Sequence, residues 1–535
     1  MVEPQSSKLM VRVRFPSSPP QAGRTFESGR FLCFLGLLLR VGFSDTPRVA
    51  TPFLWRQLFS GPQQKATFPM DPVPPRRRGR TLRPSRRQVL TGALAGAGLL
   101  GAGFATSTTT GLFGAAQRVD PVRSVTVAFT SAKGRSSIGD DGWEQLPQNS
   151  RVMPDIGDPG PLLRQQNFLA VCRPWLDSLP AHRRDLATSA LLDLWVLTDS
   201  LPATVASWAQ PWRYIWPRDA AFAAVALARV GAVDVAWQHL LHLQSLQSED
   251  GTFAARFTPD QGQVPDDRAS QADSVGLLLW AVSEVQSAAA RHSPQAGPHP
   301  TEETGKVDEP LSAMMPMLRR SSALLLRLTE NGRALPPVSP DYWEVGESQI
   351  TLGIAGPTLI GLQAMATLAE GGDGLWDHID GGPASVIESS LAFDATFART
   401  FIANGLQRYP TSGGLDSAIA YLPAAGAGLG LEASTLDHVW ERLQQPAGGI
   451  KPGHGWIFDR SSWTPSTSLM GLGYARLGAT AQADGILDWL SEHRTAAGSL
   501  PEKVTEDGVG VSVAPLSWTA SNVVLCLDEL ANPHG

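Results

Sequence analysis

Residues 182–200, HRRDLATSALLDLWVLTDS, carry the pattern that decides the fold class. The leucines of this stretch fall at helical rather than alternating intervals, at Leu186, Leu191, Leu192, Leu194 and Leu197. Apolar side chains that return every three or four residues share one face of a helix, whereas a half-buried strand alternates. The stretch therefore predicts an amphipathic helix.

The same period runs outward from this helix over most of the chain. It predicts further helices at 162–176, 219–230, 234–247, 270–290, 311–329, 356–369, 384–404, 431–443, 467–477, 481–493 and 517–530. Loops rich in Trp, Pro, Gly and acids separate them, and residues 288–309 have the composition of a surface insertion. We predict an all-α domain with its chemistry in the loops. Helical hairpins closed into a ring fit this pattern, and helix number alone is also compatible with an open helical array.

The charge of the chain is divided unequally along its length. Residues 1–105 contain 16 Lys and Arg against 4 Asp and Glu, whereas residues 106–535 contain 28 against 46. A strongly acidic body repels phosphate backbones, which argues against a nucleic-acid partner. It is compatible with a neutral substrate such as a sugar.

The N-terminal region predicts export. A basic stretch at 76–80 precedes SRRQVL at 85–90, and an apolar run rich in Gly, Ala and Leu follows from Val89 to Ala105. This order is that of a secretory signal, and the arginine pair resembles a twin-arginine export signal. The alternative is an uncleaved membrane anchor, for which the run is slightly short and rich in glycine.

The start of the signal is displaced from the start of the chain. Met70 would be a natural initiator, so residues 1–69 are interpreted as an upstream extension and 70–105 as the signal peptide or anchor. N-terminal sequencing of the native precursor tests this, since residues before Met70 would contradict it. Residues 106–160 are interpreted as a linker and lead-in with a short β-like run at 124–129, and 161–535 as one catalytic domain.

The three cysteines permit at most one disulfide within the acidic body. They are Cys33, Cys172 and Cys526, and only the last two belong to that body. Two cysteines do not by themselves argue for a bond. We expect both to be small buried apolar residues.

Two motifs combine aromatic rings with carboxylates. Residues 212–219, WRYIWPRD, end on an Arg–Asp pair at the start of an apolar helix, and residues 341–347 read DYWEVGE. Trp and Tyr faces stack on sugar rings, and an Arg–Asp pair holds several hydroxyls through fixed hydrogen bonds. A carboxyl beside Trp can be held protonated by desolvation, as a general acid requires. Considered alone, Asp219 could simply be a helix cap. The acids of the second motif could simply be exposed on a surface loop.

Two further motifs lie near the C-terminus. Residues 498–504, GSLPEKV, hold a carboxylate after Pro on a loop, which suits a base that activates water. Residues 514–519, APLSWT, open the last predicted helix and offer an aromatic wall for a cleft.

In this order, the four motifs resemble glycoside hydrolase family 15, the glucoamylase-like enzymes. The resemblance covers about residues 183–532, and it extends to TDSLP at 198–202, QADSVG at 271–276 and LDS at 415–417. It implies an (α/α)6 barrel, a six-hairpin toroid, as a single catalytic domain. By resemblance, Glu344 is the general acid and Glu502 the general base. The residues that it implies for sugar binding are Tyr214, Trp216, Arg218, Asp219, Trp343 and Trp518.

The resemblance also implies the reaction. Glu344 would protonate the glycosidic oxygen while Glu502 activates water on the opposite face, with the carboxyl groups about 6.5–9.5 Å apart and inversion at the anomeric carbon. No metal or organic cofactor is required, and the few histidines lack the spacing of a zinc site. The expected partner is an α-glucan oligosaccharide or trehalose, and a membrane contact is expected only through the N-terminal segment.

One loop departs from the family pattern. Residues 448–465 read GGIKPGHGWIFDRSSWTP, where the family has an arginine-bearing segment with a second Gly-Gly pair before Pro. The expected arginine is Lys451 or is displaced to Arg460, and a lysine loses bidentate contacts. The substrate beyond the cleaved bond is therefore open, and the lead-in is too short for the β-sandwich domain of many bacterial members.

Three functions remain open from the sequence. The preferred interpretation is an exo-acting hydrolase of α-glucosidic bonds in starch-like oligosaccharides. A trehalase-like enzyme would use the same two acids. A non-catalytic glycan-binding or envelope protein of the same fold is favoured by the altered 448–465 loop and disfavoured by the retention of Glu344 and Glu502.

Overall fold

The computed structural model of the protein describes residues 124–292, 309–371 and 374–533. The predictions for residues 1–69, for the signal at 70–105 and for most of the 288–309 insertion lie outside these residues. The helices of the described part are α1 Gly160–Ser178, α2 Arg184–Thr198, α3 Pro217–Arg229, α4 Val233–Leu246, α5 Asp273–His292, α6 Glu309–Ala313, α7 Met315–Leu328, α8 Leu352–Glu370, α9 Gly382–Thr400, α10 Tyr421–Ala424, α11 Ala433–Leu443, α12 Thr464–Arg476, α13 Thr480–Glu492 and α14 Ser517–Ala531. The strands are β1 Thr126–Phe129, β2 Arg135–Ile138, β3 Ser462–Trp463, β4 Lys503–Val504 and β5 Gly510–Val511.

Six helical hairpins form a closed ring. The inner helices are α3, α5, α8, α10, α12 and α14; each packs on the next, and α14 packs back on α3. Their outer partners are α2, α4, α7, α9, α11 and α13, and α1 lies outside the six pairs against α2. The closure of the ring excludes the open helical array and confirms the predicted all-α (α/α)6 barrel.

The inner helices are apolar because they are enclosed on all sides. Every residue of α3 is buried, and α8 has a mean hydropathy of 1.4 over a window that is 83% buried. Within the described residues, α8 alone is long and apolar enough to cross a membrane, and it is an inner helix of the barrel. The outer helices bury one face only, as α11 does with Leu436, Val439 and Leu443.

Glycines allow α5 and α8 of the ring to pack closely. A Cβ atom on Gly276 of α5 would lie 1.9 Å from the carbonyl oxygen of Pro357 in α8. A Cβ atom on Gly361 of α8 would lie 2.5 Å from the Cα of Gly276. Any side chain at either position would therefore separate the two backbones.

Two elements differ from the predicted helices. The predicted helix at 311–329 is divided into α6 and α7, because Pro316 has no N–H with which to continue a helix from the preceding turn. The fourth inner position is a short segment, a 3-10 turn at Ser417–Ala420 followed by α10, which was not predicted. Helical periodicity cannot be recognised over so few residues, so the sequence did not predict α10. The twelve predicted helices instead included α1, which lies outside the six hairpins.

Two small antiparallel sheets accompany the helices. The hairpin β1–β2 confirms the β-like run of the lead-in, and Phe129 packs on Trp195 of α2 with ring centroids 5.3 Å apart. The hydroxyl groups of Thr126 and Ser499 lie 2.7 Å apart, so this hairpin contacts the loop before Glu502. The second sheet has the order β3–β4–β5 and pairs Trp463 with Lys503.

The two cysteines of the acidic body are free and buried, as the sequence predicted. Cys172 lies in α1 and Cys526 in α14. Burial raises the pKa of the Cys172 thiol to about 12, and burial likewise raises that of Cys526. Both therefore act as small apolar side chains of the core.

Candidate active site

A cavity that is partly open to solvent lies at the end of the ring where the inner helices begin. Its wall includes Arg218 and Asp219 from the first turn of α3, Ser466 from α12 and Trp518 from α14. Helix N-termini carry partial positive charge and free N–H groups. This end of the barrel therefore favours carboxylates and other electron-rich groups.

The cavity unites seven of the eight residues singled out from the sequence. They are Trp216, Arg218, Asp219, Trp343, Glu344, Glu502 and Trp518. Tyr214 does not line the cavity. Its ring packs edge-on against Trp216 at 5.9 Å, and the guanidinium carbon of Arg256 lies 4.2 Å from its centroid. Tyr214 thus supports the wall from behind, a placement that spacing along the chain could not distinguish from lining.

Two donors hold the carboxylate of Glu502. The indole N–H of Trp212 donates to Oε1 at 3.0 Å, and the hydroxyl of Ser512 donates to Oε2. The backbone N–H of Glu502 donates to the carbonyl of Val513, and its carbonyl accepts from the N–H of Thr464. The side chain is buried at the cavity wall. Trp212 belongs to the aromatic motif at 212–219, yet the sequence did not distinguish its role.

The motif at 341–347 places its two glutamates differently. Glu344 reaches the cavity, where it forms ion pairs with Arg268 and, at 3.7 Å, with Arg218. Its backbone φ is 55°, in the left-handed region that non-glycine residues rarely adopt. Glu347 instead accepts hydrogen bonds from Arg408 at 2.6 Å and from the hydroxyl of Tyr409 at 2.8 Å. Of these two acids, only Glu344 is placed to meet a ligand.

Arg408 is the centre of this local network, and the sequence did not single it out. Its guanidinium pairs with Asp341 at 3.1 Å and with Asp416 at 2.6 Å, besides Glu347, and lies 3.6 Å from the ring centroid of Trp343. Asp416 is the acid of the LDS segment. Asp416 thus holds Arg408, and Arg408 in turn positions Trp343 and the adjacent Glu344.

The Arg218–Asp219 pair is fully enclosed at the buried end of the cavity. Arg218 donates to Gln271 at 3.1 Å and to Asp273 at 3.0 Å, so the QADSVG segment orients it. Burial raises the pKa of Asp219 to about 6, although Arg218 beside it acts in the opposite direction. Oδ2 of Asp219 lies 3.4 Å from Nε of Arg218 in an ion pair but accepts no hydrogen bond. Buried carboxylate oxygens are normally paired, so this position suits an added ligand hydroxyl or water.

The altered 448–465 loop forms the outer wall. Trp456, Trp463 and Pro452 line the cavity, whereas neither candidate for the displaced arginine does. Lys451 donates to the carbonyls of His454 and Trp456, each at 3.2 Å. Arg460 pairs with Glu506 at the surface, with its side chain 70% exposed.

Two arginines from the loop before α5 occupy the cavity wall instead. Arg256 and Arg268 both line the cavity, and Asp266 forms ion pairs with each of them. Arg256 also lies over Trp216, 5.1 Å from its ring centroid. These residues carried no motif by which the sequence could identify them, because their approach to the site depends on the folding of the loop.

Within the described residues, no group of three or more His, Cys, Asp or Glu side chains is arranged to hold a metal ion. The expectation that no cofactor is needed stays a prediction.

Comparison with known proteins identifies relatives of the fold. No family profile and no curated protein sequence matches the chain. A wild-type glycosidase is similar in structure, with a TM-score of 0.52 and 22% identity over 66% of this chain and 99% of that chain. A glycosidase variant in complex with glucose has a TM-score of 0.52 and 21% identity over the same shares. A glucoamylase from Saccharomycopsis fibuligera has a TM-score of 0.49 and 14% identity over 68% of this chain and 95% of that chain. The likeness to the two glycosidases shows a shared fold.

Proposed function

We propose that the protein is an inverting, exo-acting glycoside hydrolase of α-glucosidic bonds. The observation that carries the proposal is the convergence of Glu344 and Glu502, 158 positions apart in the chain, on one Trp-lined cavity. The similar structures named as glycosidases support the same class of reaction. Paired carboxylates on a cavity wall are what most glycoside hydrolases require.

In this mechanism Glu502 is the base. Trp212 and Ser512 hold its carboxylate in one orientation, which suits removal of a proton from an attacking water. Glu344 is the acid that protonates the leaving oxygen. Its contact with Arg268 must then be exchanged for the glycosidic oxygen when a substrate enters.

The terminal sugar would occupy the buried end of the cavity. Arg218 and Asp219 offer donors and acceptors to its hydroxyls, and Trp518 offers an apolar wall. A cavity closed at this end admits a chain terminus and excludes the middle of a polysaccharide. This shape supports exo-action.

A substrate panel followed by NMR tests the reaction. Maltose, maltotriose, dextran and trehalose are incubated with the protein, and the first anomer of released glucose is recorded. We expect β-glucose from an α-linked substrate. Initial α-glucose would contradict inversion, turnover of trehalose alone would favour the trehalase-like alternative, and no turnover at all would favour a glycan-binding protein.

Substitution of the two carboxylates tests their roles. Glu344→Gln and Glu502→Gln should each lower kcat by at least ~100-fold, the low end for loss of a general acid or base. Glu506→Gln, at a surface ion pair close to Glu502 in sequence, is the matched control and should retain activity. Full activity in either of the first two variants removes that residue from its role.

A further inference from the structure

The 448–465 loop, which forms part of the cavity wall, also carries an exposed apolar strip. Trp456 and Trp463 line the cavity and lie edge-to-face with ring centroids 4.9 Å apart. Phe458 lies 5.0 Å beyond Trp456 and is 43% exposed, and Ile457 is 82% exposed. We call these four residues the apolar rim.

The ionic groups of this loop are engaged in supporting the rim. Lys503 binds Asp459 at 3.1 Å and lies 4.0 Å from the ring centroid of Trp463. Asp459 also accepts from the indole N–H of Trp463 at 3.2 Å. Together with Lys451, which holds two backbone carbonyls of the loop, these contacts fix the rim to the strand that follows Glu502.

The position of Glu344 gives the direction of the substrate. Trp456 of the rim packs edge-on against Trp343, the neighbour of Glu344, with ring centroids 5.3 Å apart, so we place the group that Glu344 releases beside the rim. A sugar unit in this position can stack on aromatic faces, but its hydroxyls gain nothing from an exposed isoleucine. An alkyl or aryl group gains from Ile457 and Phe458 alike, because both lose water-exposed apolar surface.

We propose that the leaving group of the preferred substrate is apolar, an alkyl or aryl alcohol rather than a further sugar; this rests on the proposed function. The bond between the anomeric carbon and the alcohol oxygen breaks as water forms the new bond to that carbon. Glu502 takes the proton of the water, and Glu344 gives its proton to the leaving oxygen. The products are the free sugar and the alcohol.

A series of alkyl α-glucosides tests the rim without changing the chemistry of the bond. Methyl, butyl and octyl α-glucosides, each below its critical micelle concentration, have leaving alcohols of similar acidity. We expect kcat/KM to rise at least ~10-fold from methyl to octyl, because one fully buried methylene is worth about fourfold. A ratio near one overturns the inference.

Rim variants locate the source of that selectivity. Ile457→Ser and Phe458→Ala should each lower the octyl-to-methyl ratio of kcat/KM, and the double variant should bring it to within about twofold of one. Leu391→Ser is the matched control: Leu391 is 62% exposed on α9, an outer helix, and the ratio should not change. An undiminished ratio in the double variant overturns the role of the rim.

Two further outcomes are distinguishable. If no glucoside in the series is hydrolysed, methyl included, the proposed function fails and this inference fails with it. If maltose is hydrolysed but alkyl length has no effect, only this inference fails. Sedimentation of wild type and Ile457→Ser completes the test, since a dimer that the substitution dissociates would show that a second copy of the chain covers the rim.

Discussion

At the scale of single residues, chemical environment divides acids that the sequence presents as equivalent. Glu344 and Glu347 lie three positions apart in one motif, yet one lines the cavity and the other is enclosed by Arg408 and Tyr409. Glu347 does not line the cavity, so its carboxylate is not placed to exchange protons with a substrate bound there. The first would serve catalysis and the second the stability of the motif.

Glu347→Ala is expected to lower the free energy of unfolding by about 3 kcal/mol, because it breaks a buried ion pair of Arg408. Denaturant unfolding measures this change. The kcat of the folded variant should fall far less than in Glu344→Gln. Loss of turnover with unchanged stability would instead identify Glu347 as the acid.

Asp219 gives a pH dependence with a defined sign. Burial raises its pKa to about 6, above about 3.9 in an unfolded chain, so the folded state binds more protons in this interval. The stability that this proton uptake contributes is present below pH 4 and is lost as pH rises to about 6.

Asp219→Asn should therefore gain stability relative to wild type as pH rises from 4 to 6. The change in the difference between the two proteins is at most about 3 kcal/mol, and the difference should be constant above that range. Urea unfolding of both proteins at several pH values measures it. A difference that does not vary with pH would show that the carboxyl is not held protonated by burial.

At the scale of elements, the positions at which inner helices begin determine which side chains reach the cavity. Arg218 and Trp518 each lie in a first helical turn at the cavity, although about 300 residues separate them in the chain. Gly276 of the QADSVG segment lets the backbones of α5 and α8 approach closely. Gly276, the last residue of the QADSVG segment, thus has a packing role.

Gly276→Ala should lower the free energy of unfolding by about 1–3 kcal/mol or more, because its Cβ would lie 1.9 Å from the carbonyl oxygen of Pro357. Gly485→Ala in α13 is the matched control. Nothing lies within 4 Å of its added Cβ, so we expect a gain of about 0.5–1 kcal/mol. Thermal or denaturant unfolding compares the two, and equal effects would contradict the close crossing.

At the scale of the whole molecule, the lead-in is joined to the loop that carries Glu502 through buried charges. Arg151 pairs with Asp193 of α2 at 2.8 Å. Asp193 accepts from the hydroxyl of Ser499 at 2.7 Å and from the N–H of Leu500 at 2.8 Å, two residues before Glu502. The segment before the barrel therefore helps to position Glu502, the proposed base.

A chain that begins at Asp155 should be less stable than one that begins at Ser124 by at least about 3 kcal/mol, from the lost burial of Val127 and Phe129. It should also lose activity, since Asp193, which holds Ser499 and Leu500 beside Glu502, would lose its ion pair with Arg151. Limited proteolysis, unfolding and glucosidase assays compare the two chains. Equal stability would show that the lead-in is dispensable.

From the sequence, long helical periods predicted an all-α domain, and the resemblance carried by the ordered motifs implied the barrel. The same motifs pointed to Glu344, Glu502, Arg218, Asp219 and Trp518, which line one cavity, while their catalytic and binding roles stay predictions. Both signals are local, because amphipathic period and motif spacing are properties of neighbouring residues.

Only the tertiary structure decided the rest. It turned Tyr214 away from the cavity, made Arg408 the support of Trp343, and brought Arg256 and Arg268 to the wall. It also placed α10 in the ring and left Ile457 and Phe458 exposed on the loop that lines the cavity. Each of these facts is a contact between segments distant in the chain, and such contacts depend on how the helices close around one another rather than on the residues beside each position.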